Sequence, residues 1–424
     1  ALAGAEVIAV HCLSNHGPSK MIGARESIAR KTFRLDSFRC AMYGFFEMGW
    51  QALALLVVTR YFDGTAFQKG LITSAFMVGL LLNPISVFYF GRSLIKAATL
   101  CAIIYFVNAG LLVLAALSNH VSFFLFAGFF GAAVMAQQTP LFLQIYSNNY
   151  ASSKRGKFVS ISMTLGVLTS IPFAYYSGQL LDSDLGFYRA LYVFMAVASV
   201  VAAWLTLKIP SVPLVRNASS NPFAHFSVAW ENRVFGAMLI MWMLLGIGNL
   251  SVFHLRIEYM SAAEYGIMAS NGDIVICIVA IPSVIRLALT PVWGYVFDRF
   301  NFFAVRAAAN ISFVVSIATF FFVETIVALY VASVFFGIAL AGARVNWSLW
   351  VTKFAPPDQE SNYMSVHGFL TGVRGVGAPF MGFYIIQMIS IQKTAAMSIG
   401  LILFATLLLV PISRMAKGVV KEGN

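Results

Sequence analysis

The sequence predicts an all-α membrane protein, with twelve transmembrane helices in two pseudo-symmetric six-helix halves. Three observations predict it. Of the 424 residues, 60% are hydrophobic and 10% charged, where a soluble domain carries about 25% charged residues. So little polar surface cannot face water on every side, whereas lipid as the outer solvent removes the conflict. Twelve apolar segments each approach the ~20 residues that a helix needs to cross a bilayer core. The chain also repeats itself at an offset of 207 positions: Asn83-Pro84 is answered by Thr290-Pro291, Arg92 by Arg299, and Pro172-Phe173 by Pro379-Phe380.

In chain order the predicted spans are 38–60, 69–90, 94–117, 121–147, 158–180, 187–208, 233–255, 271–296, 303–323, 326–352, 362–388 and 394–413. They are too long for strands and lack strict alternation. Two connections are very short, Ser118-Asn119-His120 and Glu324-Thr325, and they fall in equivalent places of the two halves. The longest internal linker, 209–232, is polar and punctuated by Pro210, Pro213 and Pro222, which marks it as the joint between halves. The predicted organisation is a disordered N-terminal extension over 1–32, a six-helix bundle over 33–208, the linker 209–232, a second bundle over 233–413 and a tail over 414–424.

Basic residues set the predicted orientation. With both termini cytoplasmic, 20 of the 28 Lys and Arg fall inside and 5 outside, the asymmetry of the positive-inside rule. Arg39 and Arg306 count among the inside set and Arg256 among the outside set. The asymmetry also accounts for the net charge of +12; the expected location is the cytoplasmic (inner) membrane, with membrane lipid as a partner. Charges dispersed over many short loops argue against a nucleic-acid partner. Cys12, Cys40, Cys101 and Cys277 show no metal-ligand or disulfide spacing. No cofactor or metal is predicted, and the expected oligomeric state is a monomer.

The eighth span runs into Gly294-Tyr295-Val296-Phe297-Asp298-Arg299-Phe300, with Arg306 beyond. This resembles the G-x-x-x-D-R-x…R loop signature of the major facilitator superfamily. Twelve spans, 6 + 6 halves and a central cytoplasmic linker resemble that family too, over about 21–417. The first-half equivalent departs from the signature, with Val87 for the first glycine and Gly91 for the acidic residue. The resemblance implies alternating access about a central cavity lined by helices one, two, four, five, seven, eight, ten and eleven. It makes Gly294, Asp298, Arg299 and Arg306 a candidate gating motif, with Gly294 allowing close helix approach. The two arginines serve equally as snorkelling anchors.

Charges inside spans are costly, about 2.5–3.5 kcal/mol each on insertion scales, and so face partners or a wet cavity. Arg286, Arg344, Arg374 and Glu47 all fall on helices that the resemblance assigns to the cavity. Gln51 shares a helix face with Glu47. Gln137 and Gln144 share a face of span four, and Gln137 matches Arg344 at the 207 offset. Glycines 372, 375 and 377 leave room around Arg374 for a substrate or a neighbouring helix. His367, near a helix end, reads as a solvated histidine. Asn346 points roughly opposite to Arg344. Arg286, Arg344, Arg374, Gln51, Gln137 and Gln144 are thus the candidate substrate-binding residues, and Glu47 the candidate proton-coupling group. Three arginines against one carboxylate favour an anionic small-molecule substrate, because arginine pairs bidentately with carboxylate or phosphate. An internal ion pair stapling the halves is the structural alternative.

An enzyme is not expected, since no H-x-x-x-H, H-E-x-x-H or G-x-x-x-x-G-K-[ST] run occurs. The predicted function is secondary active transport of a small organic anion, with a proton as the candidate coupling ion. The alternatives are a transport-inactive solute sensor on the same scaffold and a transporter of a neutral, sugar-like solute.

Overall fold

The computed structural model describes residues 18–214, 226–355 and 360–416. Much of the N-terminal extension, the centre of the 209–232 linker and most of the C-terminal tail therefore lie outside the described residues. Within them the chain is helical, with no strand and one isolated bridge, Lys96 to Pro213.

The first sequence half forms α1 (Pro18–Met48), a π-turn (Gly49–Leu53), α2 (Ala54–Arg60), α3 (Ala66–Phe90), α4 (Ala97–Leu117), α5 (Val121–Ala136), α6 (Gln138–Asn149), α7 (Ser152–Ser183) and α8 (Tyr188–Leu207). After the short α9 (Val228–Glu231), the second half forms α10 (Arg233–Phe253), α11 (Leu255–Ser261), α12 (Asn271–Val275), a π-turn (Ile276–Ala280) and α13 (Ile281–Arg299). It continues with α14 (Phe302–Phe322), α15 (Ile326–Leu349), a 3-10 turn (Trp350–Lys353), α16 (Glu360–Ile385), α17 (Ile391–Leu407) and α18 (Leu409–Met415). Ten helices among the described residues are long and apolar enough to cross a membrane. They coincide with the predicted spans two to ten and twelve. The predicted spans 38–60 and 362–388 are helical too, but carry Glu47 and Arg374 and stand outside that set.

Helix starts in the chain already at Pro18, through part of the stretch expected to be disordered. Residues 25–31 are mostly strong helix formers, and Arg30 lies 3.6 Å from Glu26 one turn back. Three helices of the second half start on side-chain caps. Asn232 accepts from the Phe235 amide at 3.0 Å, Asn301 from Phe303 at 2.9 Å and Thr325 from Ala328 at 3.2 Å. All four repeat prolines, Pro84, Pro172, Pro291 and Pro379, sit inside helices, where each removes a backbone hydrogen bond and permits a bend.

The described residues divide into two compact units. The first draws on 1–48, 82–170 and 189–222, the second on 49–81, 171–188 and 223–424. Three of the five crossings between units fall beside the Gly49–Leu53 π-turn, beside Asn83-Pro84 and beside Pro172. These are positions where the i→i−4 ladder is already interrupted.

Small residues bring helices together in both units, as membrane packing requires. In the first, Gly44 of α1 meets the backbone at Gly166 of α7 so closely that a Cβ could not be accommodated. In the second, Gly382 of α16 lies as close to the carbonyl of Ser251 in α10, and Ser251 is the residue matching Gly44 at the 207 offset. A Cβ on Gly178 would stand 2.6 Å from the Gly272 Cα.

Candidate functional site

Each unit buries charge, and the two do it differently. In the first unit Asp36 and Arg39 of α1 face inward one turn apart, 2.7 Å from each other, with side chains 0% and 6% exposed. Arg39 also donates to the Tyr105 hydroxyl at 2.9 Å and the Tyr146 hydroxyl at 3.2 Å. Tyr146 in turn donates to Asp36, and Tyr105 to Gln138 at 2.7 Å. The guanidinium lies 3.8 Å over the Phe142 ring. This network is compensated, with every charge facing an opposite charge or a hydroxyl. Sequence reading missed it, because 36 and 39 fall at the start of the apolar run. Arg39 there reads as a cytoplasmic anchor.

In the second unit α14, α16 and the 3-10 turn after α15 converge on Trp242 of α10. Arg306 of α14 is 1% exposed, with its guanidinium carbon 4.0 Å from the Trp242 ring centroid. Arg374 of α16 is 6% exposed and donates to the Trp242 carbonyl and, at 3.1 Å, to the Thr371 hydroxyl. Its side chain fills the notch above Gly246, where a Cβ would collide with it. His367 of α16 sits 5.1 Å from the Trp242 ring and 5.1 Å from Trp350, which opens the 3-10 turn after α15. Among the described residues neither arginine has an ion-pair partner. Arg306 Nε and Nη1, Arg374 Nε, His367 Nε2, Trp242 Nε1 and Trp350 Nε1 are buried without a hydrogen-bond partner. Five of these six atoms are obligate donors. Arg39 of the first half is matched by Gly246 at the 207 offset. One repeat thus grows its arginine from its first helix, and the other leaves a gap there that Arg374 enters from a different helix.

The end of the second unit that carries Glu258 holds a set of polar contacts. Lys69 Nζ of α3 lies 2.6 Å from Glu258 Oε1 of α11, with side chains 12% and 9% exposed. Arg60 donates to Asn271 Oδ1 and to the Ala269 carbonyl, both at 2.6 Å. Asp182 of α7 accepts from the amides of Asn271 at 2.6 Å and Gly272 at 2.9 Å, the free N–H groups that open α12. Tyr330 donates to Asp273. Between the spans, burial and then the Glu264 hydrogen bond and charge push the Tyr265 hydroxyl up, so it stays protonated. The contacts from 60, 69 and 182 join the first sequence half to the second within one compact unit.

The sequence-predicted residues scatter. Glu47 is half-buried in α1, four residues from Tyr43. The side chain of Gln51 lies outside the described residues. Gln137 is buried and donates to the Ala133 carbonyl at 3.1 Å, while Gln144 donates to the Pro213 carbonyl at 3.0 Å. Arg286 of α13 is half-buried and Arg344 of α15 exposed. Asn346 is buried and donates to the Gly342 carbonyl at 2.8 Å, on the side away from Arg344 as expected. Four readings are corrected. Arg306 is a buried guanidinium on an indole rather than a snorkelling anchor. His367 is 1% exposed rather than solvated, because three tryptophans enclose it. Gly294 meets no neighbour within 4 Å of a Cβ position, so no close helix approach depends on it. Asp298 is exposed, and exposed Arg299 lies 4.6 Å over the Tyr295 ring. Arg256, read as an outer-loop charge, is 1% exposed, 3.8 Å over the Phe336 ring and 3.1 Å from the Ser316 hydroxyl.

Repeated apolar helices, interior prolines and buried cationic groups define a membrane transport scaffold. Residues 39–379 match the model of the Major Facilitator Superfamily, and the chain belongs to that family. The fold is similar to several solved transporters. One is the nucleoside transporter NupG, at 14% identity over 91% of this chain and 98% of that one, TM-score 0.72. A second is a bacterial homolog of the human lysosomal transporter Spinster in an inward-facing, unoccupied conformation, at 13%, 94% and 99%, TM-score 0.68. A third is a D-xylose-proton symporter, at 11%, 93% and 98%, TM-score 0.68. No curated protein sequence matches the chain.

Proposed function

We propose that the chain is a secondary active transporter moving a small organic anion by alternating access, through twelve spans with both termini cytoplasmic. The observation that carries this reading is the donor-lined cluster around Trp242. Among the described residues Arg306 and Arg374 are buried there with no carboxylate opposite them, and an orphaned buried donor costs about 1–3 kcal/mol, more when charged. A carboxylate or phosphate group satisfies several of those donors at once. The first unit, which neutralises Arg39 with Asp36, offers no comparable surplus. The solute binds at the cluster around Trp242, Arg286 and Arg344 drawing it in. Glu47, half-buried on the first span, carries the coupling proton. The polar contacts at the Glu258 end hold the outer side shut for part of the cycle, and the Asp298 loop serves the inner side. The functional unit is a monomer with no cofactor.

A neutral solute is the second reading. Arg374 already donates to Trp242 and Thr371, so part of its charge has a structural use.

Proteoliposome uptake separates the readings. Radiolabelled mono- and dicarboxylates and phosphorylated compounds are offered beside neutral sugars, with and without an imposed proton gradient. Accumulation of an anion that Arg306→Gln abolishes supports the proposal. Accumulation of neutral solutes alone rejects it. Binding without accumulation of any bound solute identifies a sensor.

A further inference from the structure

Away from the buried clusters, the first unit carries an open groove of about 810 Å³ between the N-terminal part of α1 and the end of α8. Arg30, Lys31, Arg34 and Lys208 line it together with Phe38 and Trp204. On α1, residues 30, 34 and 38 recur every four and 31 stands three before 34, so Arg30, Arg34 and Phe38 share one face with Lys31 at its edge. On α8, Trp204 and Lys208 are one turn apart, with the Lys208 ammonium 3.1 Å from the Trp204 ring. Phe38 is 58% exposed and Trp204 54%, large apolar surface that only a lipid tail or another apolar body can cover. Four cations stand beside it. Among the described residues the carboxylate paired with them is Glu26, 3.6 Å from Arg30, with both side chains mostly exposed, a pairing of little strength.

The order along the helix matters. Basic residues come first, and the aromatic follows as the apolar span begins. That sequence matches the depth profile of a phospholipid, with phosphate at the surface and acyl chain below. We infer that this groove binds an anionic phospholipid, with its phosphate held by Arg30, Lys31, Arg34 and Lys208 and an acyl chain lying on Phe38 and Trp204. A free phosphate ion fits the cations but leaves the aromatic wall bare. A zwitterionic lipid fits the wall but brings its own cation. Lipid capture here is independent of which solute is carried.

Native mass spectrometry of the purified full chain tests this by titrating phosphatidylglycerol and phosphatidylcholine of identical acyl chains. The parent should bind phosphatidylglycerol more tightly, and 10 mM inorganic phosphate should not displace it. A basic side chain near an anionic lipid surface is worth about fivefold in affinity. The exposed triple variant R30Q/K31Q/R34Q should therefore lose roughly 100-fold for phosphatidylglycerol and little for phosphatidylcholine. The charge-keeping pair R30K/R34K should retain the preference. Unchanged phosphatidylglycerol affinity in the triple variant, or displacement by free phosphate, overturns the assignment.

Discussion

Arg39 and Gly246 occupy matching places in the two repeats, and the difference between them governs how each unit treats buried charge. Removing one partner of a compensated buried pair costs about 3–5 kcal/mol. Asp36→Asn should therefore lower the unfolding temperature of the purified protein sharply. Arg306→Gln should not, because among the described residues Arg306 has no counter-charge to lose. Detergent-phase thermal unfolding of the two variants checks the contrast, and equal destabilisation would mean that Arg306 is paired after all. Gly246→Ala places a methyl group where the Arg374 side chain lies, so it should weaken solute binding nearly as much as Arg374→Ala. Arg374→Lys keeps the charge and loses the planar fork. A charge-assisted hydrogen bond is worth about 1.5–3 kcal/mol, so a 10- to 100-fold weaker dissociation constant is expected. Glu47→Gln removes the titratable proton and keeps hydrogen-bonding capacity. Gradient-driven accumulation should vanish while counterflow exchange persists, and equal loss of both contradicts a coupling role.

Arg374 was legible in the sequence because it interrupts an apolar run in mid-helix. Arg306, Arg39 and Arg256 were not, since each lies within a few residues of a predicted span end. There a long side chain has two outcomes, outward to the interface or inward to the bundle. Composition does not choose between them. The neighbours do, through Trp242, Tyr146 and Phe336, which meet these arginines from distant helices.

At the scale of elements, the repeat was the most legible feature. Pro84, Pro172, Pro291 and Pro379 lie inside helices, two of them next to crossings between compact units. What the sequence hid was pairing between elements. Lys69 and Glu258 are 189 positions apart, and nothing local marks them as partners. Asp182 caps α12 from another helix. Asp182→Asn keeps the shape and weakens the charged cap, and Lys69→Gln removes the salt bridge. If these contacts hold the outer side shut, the double variant should raise the labelling rate of a cysteine at Gly375, where a Cβ would stand 2.6 Å from the Met77 side chain. The thiol reagent is applied from outside, and no change in rate assigns the contacts to folding alone. Asp298, exposed at the end of α13, allows a parallel check. Asp298→Asn should slow transport at constant protein level if the loop gates, and leave it unchanged if the loop serves topology.

For the whole molecule, the family follows from the match over 39–379 and the fold from the solved transporters it resembles. The proposed orientation rests on the basic-residue asymmetry of the sequence, to which Arg39, Arg306 and Arg256 contribute as buried groups rather than as surface charges. A cysteine at Asn217 should resist impermeant reagent in intact cells and react after permeabilisation. The central claim is that buried, uncompensated arginines of the second unit select an anion. Ligand-induced thermal stabilisation tests it most directly, because a solute that binds only the folded state raises stability by about 2.7 kcal/mol at 100 times its dissociation constant. Purified parent and Arg374→Lys proteins are screened against matched pairs of organic anions and their neutral analogues. The parent should be stabilised by at least one carboxylate or phosphorylated compound and not by its neutral analogue, with the shift lost or strongly reduced in Arg374→Lys. Stabilisation by neutral solutes alone, or shifts that persist unchanged in the variant, would contradict it.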